Sequence, residues 1–70
     1  MTRRPINSSS IRSVGYDPDA KILEVEFRGG GVYQYFDVPK NVYEDLINAS
    51  SAGRYYAVYI KNEFRFKSMK

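Results

Sequence analysis

Rings and cations are the residues of this chain with chemistry to offer. Tyr33-Gln34-Tyr35 sets two phenols at i and i+2, the spacing that puts both on one side of an extended strand. Such a pair on an open sheet would resemble the stacking surfaces on which unpaired bases rest. The tail Phe64-Arg65-Phe66-Lys67 interleaves rings with cations as a single-strand binder does, although both Phe also suit the lower edge of a small core. Solvated cations reach phosphates at little desolvation cost. The candidate nucleic-acid-binding residues are therefore Arg12, Tyr33, Tyr35, Arg54, Lys61, Arg65 and Lys67, with Arg3 and Arg4 as further phosphate contacts. Tyr55, Tyr56 and Tyr59 recur at helical spacing and read as packing.

Other chemistry is excluded by what the chain lacks. It has no Cys and no His, which removes thiol nucleophiles, imidazole acid/base catalysis, His-dependent triads and the usual zinc sites. Glu24 and Glu26 share a strand face about 7 Å apart by strand rise, but no pocket is evident around them, and no oxygen ligands cluster for a metal. Gly29-Gly30-Gly31 joins two apparent hairpin strands, with no helix N-terminus behind it and no Gly-Lys-Ser/Thr, so it reads as a turn and not a phosphate loop. We expect no enzyme, no cofactor and no metal.

Seventy residues allow one domain, and 43% apolar with 27% charged is the composition of a folded globule. The room for function is the surface. The net charge of +3 is uneven: residues 1–16 carry +3, residues 17–53 carry −4 and residues 54–70 carry +4. Should the two basic ends lie together, they would make a surface for a phosphate backbone; the alternative is that chain ends collect cations for solubility. Met1-Thr2-Arg3-Arg4-Pro5 has charge but no apolar run behind it, and no window approaches a membrane span. A cytoplasmic location is expected.

The elements that must position these groups follow from spacing. Residues 10–16 suit a first strand, broken in character by Gly15. Asp17-Pro18-Asp19-Ala20 is a turn in which Pro18 pre-sets φ and Asp17 accepts from the turn's own N–H groups. Residues 21–28 alternate strictly, with Leu23, Val25 and Phe27 on one face and Ile22, Glu24, Glu26 and Arg28 on the other. A third strand is expected over 32–38, rich in aromatic and β-branched residues. Pro39 ends the sheet, and Val42, Leu46 and Ala49 at i, i+4 and i+7 predict a helix over 39–49. Ser50-Ser51-Ala52-Gly53 is a break with capping hydroxyls. A second helix is expected over 54–62, and the tail after it is either a short strand or an extended arm.

Two registers of the glycine hairpin are open. A two-residue Gly29-Gly30 loop faces Phe27 with Val32 and leaves Tyr33 and Tyr35 on the open face beside Glu26 and Glu24. A three-residue Arg28-Gly29-Gly30 loop, with Gly30 left-handed, pairs Val25 with Tyr33 and Leu23 with Tyr35 and turns both tyrosines toward the core.

Taken together, these residues resemble the KTSC domain, a short module named for its place at the C-terminus of some lysyl-tRNA synthetases and also found as small stand-alone bacterial proteins. The matching pieces are Ser8-Ser9-Ser10-Ile11, Val14-Gly15-Tyr16-Asp17-Pro18, Leu23-Glu24-Val25-Glu26-Phe27, Gly30 through Tyr35, Val38-Pro39, Val42-Tyr43, Leu46, Ala49-Ser50, Gly53 and Tyr55-Tyr56. They cover about residues 8–66, and the family's Tyr-x-Tyr signature falls on Tyr33 and Tyr35. Arg65 stands where such domains often carry Pro between aromatics. The resemblance implies a small module whose activity is not established, with RNA binding suggested by attachment to a synthetase.

The expectation is an α+β fold: a three-stranded antiparallel meander followed by two helices packed on one face, with a short C-terminal tail. Residues 1–7 would be a flexible arm, 8–66 the domain and 67–70 a basic tail. Function is expected to be non-catalytic binding of RNA or single-stranded nucleic acid, or alternatively of another protein through a sheet edge or aromatic surface.

Overall fold

The computed structural model describes residues 1–69; Lys70, the last residue of the expected basic tail, lies outside them. The chain runs β1 (Arg3–Pro5), β2 (Ile11–Asp17), β3 (Ile22–Phe27), β4 (Val32–Tyr35), α1 (Lys40–Asn48), α2 (Ala52–Tyr59) and β5 (Phe66–Ser68). All five strands form one antiparallel sheet in the order β1-β2-β3-β4-β5. The α+β class and the two helices agree with the sequence reading. The strand count does not: five strands replace three, because both chain ends add an edge strand to the meander. The tail takes the strand alternative over Phe66–Ser68.

The turn after β2 forms as its residues dictate. Asp17 Oδ1 accepts from the N–H groups of Asp19 at 3.0 Å and Ala20 at 3.2 Å, and Lys21 takes the left-handed conformation that closes it, with φ 57°. At the next hairpin the chain chooses the three-residue loop. Phe27 N–H donates to Gly31 O at 2.8 Å, Gly30 N–H donates to Phe27 O at 3.0 Å, and Gly30 sits at φ 107°. Leu23 then pairs with Tyr35 and Val25 with Tyr33, so both tyrosines share the face of the core. Glu24 and Glu26, paired with Gln34 and Val32, point the opposite way.

In β2 the register shifts between Ile11 and Ser13, leaving Arg12 as the extra residue of a bulge. Ile11 and Val14 are three apart and would face opposite sides of a regular strand. The bulge puts both in the core, each fully buried, and leaves Arg12 exposed. With Leu23, Val25, Tyr35, Val38, Leu46, Ala52 and Ile60 they make the dry centre of the molecule. Each fully buried aliphatic side chain there contributes about 1.5–3 kcal/mol of transfer free energy.

The helices lie over this face. In α1 the expected stripe holds, with Leu46 buried and Val42 and Ala49 half-buried; Tyr43 stacks on Tyr16 of β2 at 5.1 Å and 12°. Tyr16 also donates its hydroxyl to Val38 O, tying β2 to the loop ahead of α1. α2 begins two residues earlier than its expected start at Arg54, because Ser51 Oγ caps it by accepting from Arg54 N–H at 3.3 Å. It also ends earlier, at Tyr59, and residues 60–63 form a turn instead of continuing to Asn62. Ile60 is buried as the stripe requires, whereas Tyr59, expected to pack, is 57% exposed and leans on Tyr55 at 4.7 Å.

The opposite face of the sheet is polar. Arg3 Nε lies 3.4 Å from Glu24 Oε2 and its Nη1 lies 3.9 Å from Glu26 Oε1; Ser13 donates to Glu26 Oε1 at 2.8 Å and Gln34 to Glu24 Oε1 at 2.9 Å. Gly15 beneath β1 makes this docking close, since a Cβ there would stand 2.8 Å from Thr2 O.

Candidate functional site

The sheet face that carries the core is wider than the helices that cover it. Over β4 and β5 it is lined by rings instead of aliphatics. Phe27 at the end of β3, Tyr33 and Tyr35 of β4, Phe66 of β5 and Tyr56 of α2 surround a cleft of about 450 Å³, with Gly31, Lys61 and Asn62 completing its lining. The rings touch in a closed circuit. Phe27 meets Tyr33 at 5.8 Å and 76°, Tyr33 meets Phe66 at 5.8 Å and 54°, Phe66 meets Tyr35 at 5.8 Å and 37°, Tyr35 meets Tyr56 at 5.9 Å and 73°, and Tyr56 meets Phe27 at 5.1 Å and 69°. These tilted and edge-on contacts are the arrangements aromatic quadrupoles favour.

Local sequence explains each position. Strand alternation puts Tyr33 and Tyr35 on the same face, and antiparallel pairing brings Phe66 opposite Tyr35. Gly31 lets the Tyr33 ring lie across the hairpin, because a Cβ at Gly31 would stand 2.8 Å from Tyr33 Cε1. The early end of α2 matters too: Lys61 N–H caps back on Tyr56 O at 2.9 Å, and the turn that follows carries Lys61 and Asn62 to the rim.

Tyr35 is the floor, 2% exposed, with its hydroxyl bonded to that of Tyr56. Burial, then the bond to Tyr56, push the Tyr35 phenol well above the usual tyrosine range. It stays neutral, and either of the two hydroxyls can donate to the other. Tyr33 is half-buried, and Phe66 is 56% exposed, so the outer wall of the cleft faces water.

Of the residues singled out from sequence, Tyr33, Tyr35 and Lys61 are brought together here. Arg65 flanks the cleft in a shallow hollow shared with Phe36 and Phe64; its guanidinium lies 5.9 Å from the Phe36 ring centroid and 3.2 Å from Asp37 Oδ2. Both members of that pair are about four-fifths exposed, so it holds Arg65 only weakly. Lys67 alternates to the polar face opposite Gln34. Arg12 projects from the bulge in β2, and Arg54 lies on α2 beside Tyr55, Val58 and Tyr59. The edge strands of the two basic ends do not converge either. β1 and β5 are opposite edges of the sheet, four strand spacings or about 19 Å apart, and Arg3 is engaged by two carboxylates.

Sequence reasoning missed Phe27, Tyr56 and Asn62, and read Phe66 chiefly as core. Phe27 and Tyr56 carried a signal, membership of apolar stripes, that points to the core equally well. Asn62 carried none, since only the early end of α2 brings it to the rim.

Comparison with known proteins places this architecture. The family model of the KTSC domain matches residues 7–64. The chain is 44% identical over 62 residues to a protein of Tsukamurella paurometabola, covering 89% of this chain and 92% of that one. It is 45% identical over 67 residues to an uncharacterised protein of Stutzerimonas stutzeri, covering 94% of each. A lysine--tRNA ligase of Nostoc sp. matches with 39% identity over 61 residues, 87% of this chain but 11% of the ligase. A crystal structure of a KTSC domain protein from Yersinia pestis superposes with a TM-score of 0.96 at 40% identity, covering 99% of this chain and 97% of that one. By sequence and by fold, the chain belongs to the KTSC domain family.

Proposed function

We propose that this chain is a non-catalytic binding module for single-stranded RNA, and that the ring-lined cleft is where it binds. The observation that carries this reading is the closed circuit of five rings with a lysine at its rim, one side open to water. Rings supply stacking, worth about 1–3 kcal/mol per base, and Lys61, with Arg65 beside it, supplies phosphate contacts. Glu24 and Glu26, which would repel phosphate, lie on the far face beside Arg3, while Glu63 stands with Arg65 in the neighbouring hollow and Asp37 pairs with it, tempering the positive charge there. Occurrence of the same domain within lysine--tRNA ligases supports RNA as the ligand. A cytoplasmic location goes with it; none of the helices among the described residues is long and apolar enough to cross a membrane.

Fluorescence anisotropy with a labelled single-stranded RNA, at about 50 and then 200 mM salt, tests the reading. Two phosphate contacts predict about a sevenfold loss of affinity across that change. No binding at either salt refutes it.

A second reading, docking of another protein, draws on a different surface. Val58 is 59% exposed and Tyr59 57%, and together with Tyr55 and Arg54 they line a hollow on the outer side of α2. Binding there would be insensitive to salt and abolished by Tyr59→Ala.

A further inference from the structure

We propose that the cleft admits one unpaired nucleotide, with its base among the rings, its phosphate at Lys61 and its base edge at Asn62, and that it does not take a run of stacked bases. The proposal rests on the RNA reading above and specifies the ligand of that site.

The ring geometry carries the argument. A platform for successive bases needs two neighbouring rings exposed side by side, and the Tyr33/Tyr35 pair does not provide them. Tyr35 is 2% exposed and lies at the bottom of the cleft, so Tyr33 and Phe66 remain as walls. Neighbouring rings of the circuit meet at angles of 37° to 76°, so a base can lie against them from the open side but no continuous flat surface leads on to a second base. A volume of about 450 Å³ falls in the lower part of the range of roughly 300–1,000 Å³ typical of small-ligand pockets. That accommodates one base and its sugar.

The polar groups agree in number. Among the described residues, two polar side chains other than the tyrosine hydroxyls line the cleft, and they differ in kind. Lys61 is a compact charge with three donors and no acceptor, suited to a phosphate. Asn62 presents both a donor and an acceptor, which lets it bond the edge of a base. The next cation, Arg65, lies outside the cleft in the neighbouring hollow, where its loose, exposed pairing with Asp37 leaves it to the phosphate of an adjacent nucleotide and not to the one in the cleft. One base, one edge and one phosphate describe a single nucleotide. A loop, bulge or chain end of RNA presents such a nucleotide, and a duplex does not.

Three six-nucleotide RNAs test this: one with all six bases, one with a single base among abasic riboses, and one wholly abasic. The one-base RNA should bind within about sixfold of the full RNA, the statistical advantage of six equivalent registers. The abasic RNA should bind about 5- to 150-fold more weakly than the one-base RNA, the equivalent of losing one stacked base. Lys61→Gln, at an exposed position where unfolding should not change, should lower the salt slope by about 0.7. If the full RNA binds and the one-base RNA is tenfold weaker still than the registers allow, the site takes several bases and the proposal fails while the RNA reading stands. If Lys61→Gln and Tyr33→Leu leave binding of the full RNA unchanged, the nucleotide sits elsewhere and the proposal fails. If none of the three binds, both fail together.

Discussion

One face of the sheet has two halves that differ in how they are closed. Over the middle of β2 and β3 the side chains are aliphatic, Ile11, Val14, Leu23 and Val25, all fully buried beneath the helices, with the rings of Tyr16 and Phe27 at the margins. Over β4 and β5 the same face carries Tyr33, Tyr35 and Phe66; Tyr35 is buried, and α2 reaches this part of the sheet through the ring of Tyr56. Aliphatic side chains can be close-packed only if something covers them; rings with polar tips can remain half in water. The difference teaches that a small sheet can extend past its helices if the uncovered strands change composition. That extension is where a ligand has room, because in a 70-residue protein the covered half is entirely occupied by the core.

The comparison breaks first if the covered half is not the main source of stability. Leu23→Ala should cost about 2–5 kcal/mol, read by denaturant unfolding as a lower midpoint at unchanged slope, whereas a cost below about 1 kcal/mol would mean that the core lies elsewhere. The polar face should come next. Gly15→Ala drives a Cβ against the Thr2 carbonyl, so β1 must move away and carry Arg3 with it; we expect a cost of about 1–3 kcal/mol and faster amide exchange confined to β1 and its neighbour. The smallest effect at neutral pH belongs to the open half. Tyr35→Phe removes one hydrogen bond and should cost about 1 kcal/mol.

The same substitution sharpens the comparison at high pH. In the folded protein the Tyr35 phenol is held neutral above the usual range, while in the unfolded chain it ionises near pH 10. Its contribution is therefore complete below pH 10 and is lost as pH rises beyond it, because the folded state keeps a proton the unfolded state gives up. Burial raises Tyr16 and Tyr55 in the same direction. Stability should fall above pH 10 in the parent protein and fall less steeply in Tyr35→Phe.

Much of this division was legible in the residues. Strict alternation from Ile22 to Phe27 and the stripe of Val42, Leu46 and Ala49 located the covered half, and Asp17 announced its own turn. The hairpin register was not decidable, because three consecutive glycines can each adopt positive φ and only the folded sheet selects Gly30. Strands β1 and β5 are three residues each, too short for any period to register. The bulge at Arg12 reverses the parity of β2 at a residue with no turn chemistry of its own. The candidate site suffered from a related ambiguity. Phe27, Tyr56 and Phe66 look like core in sequence, and their role as cleft walls arises only because the helices stop short of β5. Charge was a poor guide in one respect, since β1 and β5, which carry part of the two basic segments, occupy opposite edges of the sheet.

The central claim is that the open half of the sheet binds and the covered half does not. The most direct measurement is a chemical-shift titration of the labelled protein with single-stranded RNA. We predict shifts at Phe27, Gly31, Tyr33, Tyr56, Lys61, Asn62 and Phe66 that fade as salt rises, with α1 and the polar face around Arg3 and Glu24 unmoved. Shifts centred on that polar face or on Arg54 and Tyr59 of α2, or none at millimolar RNA, would contradict the account.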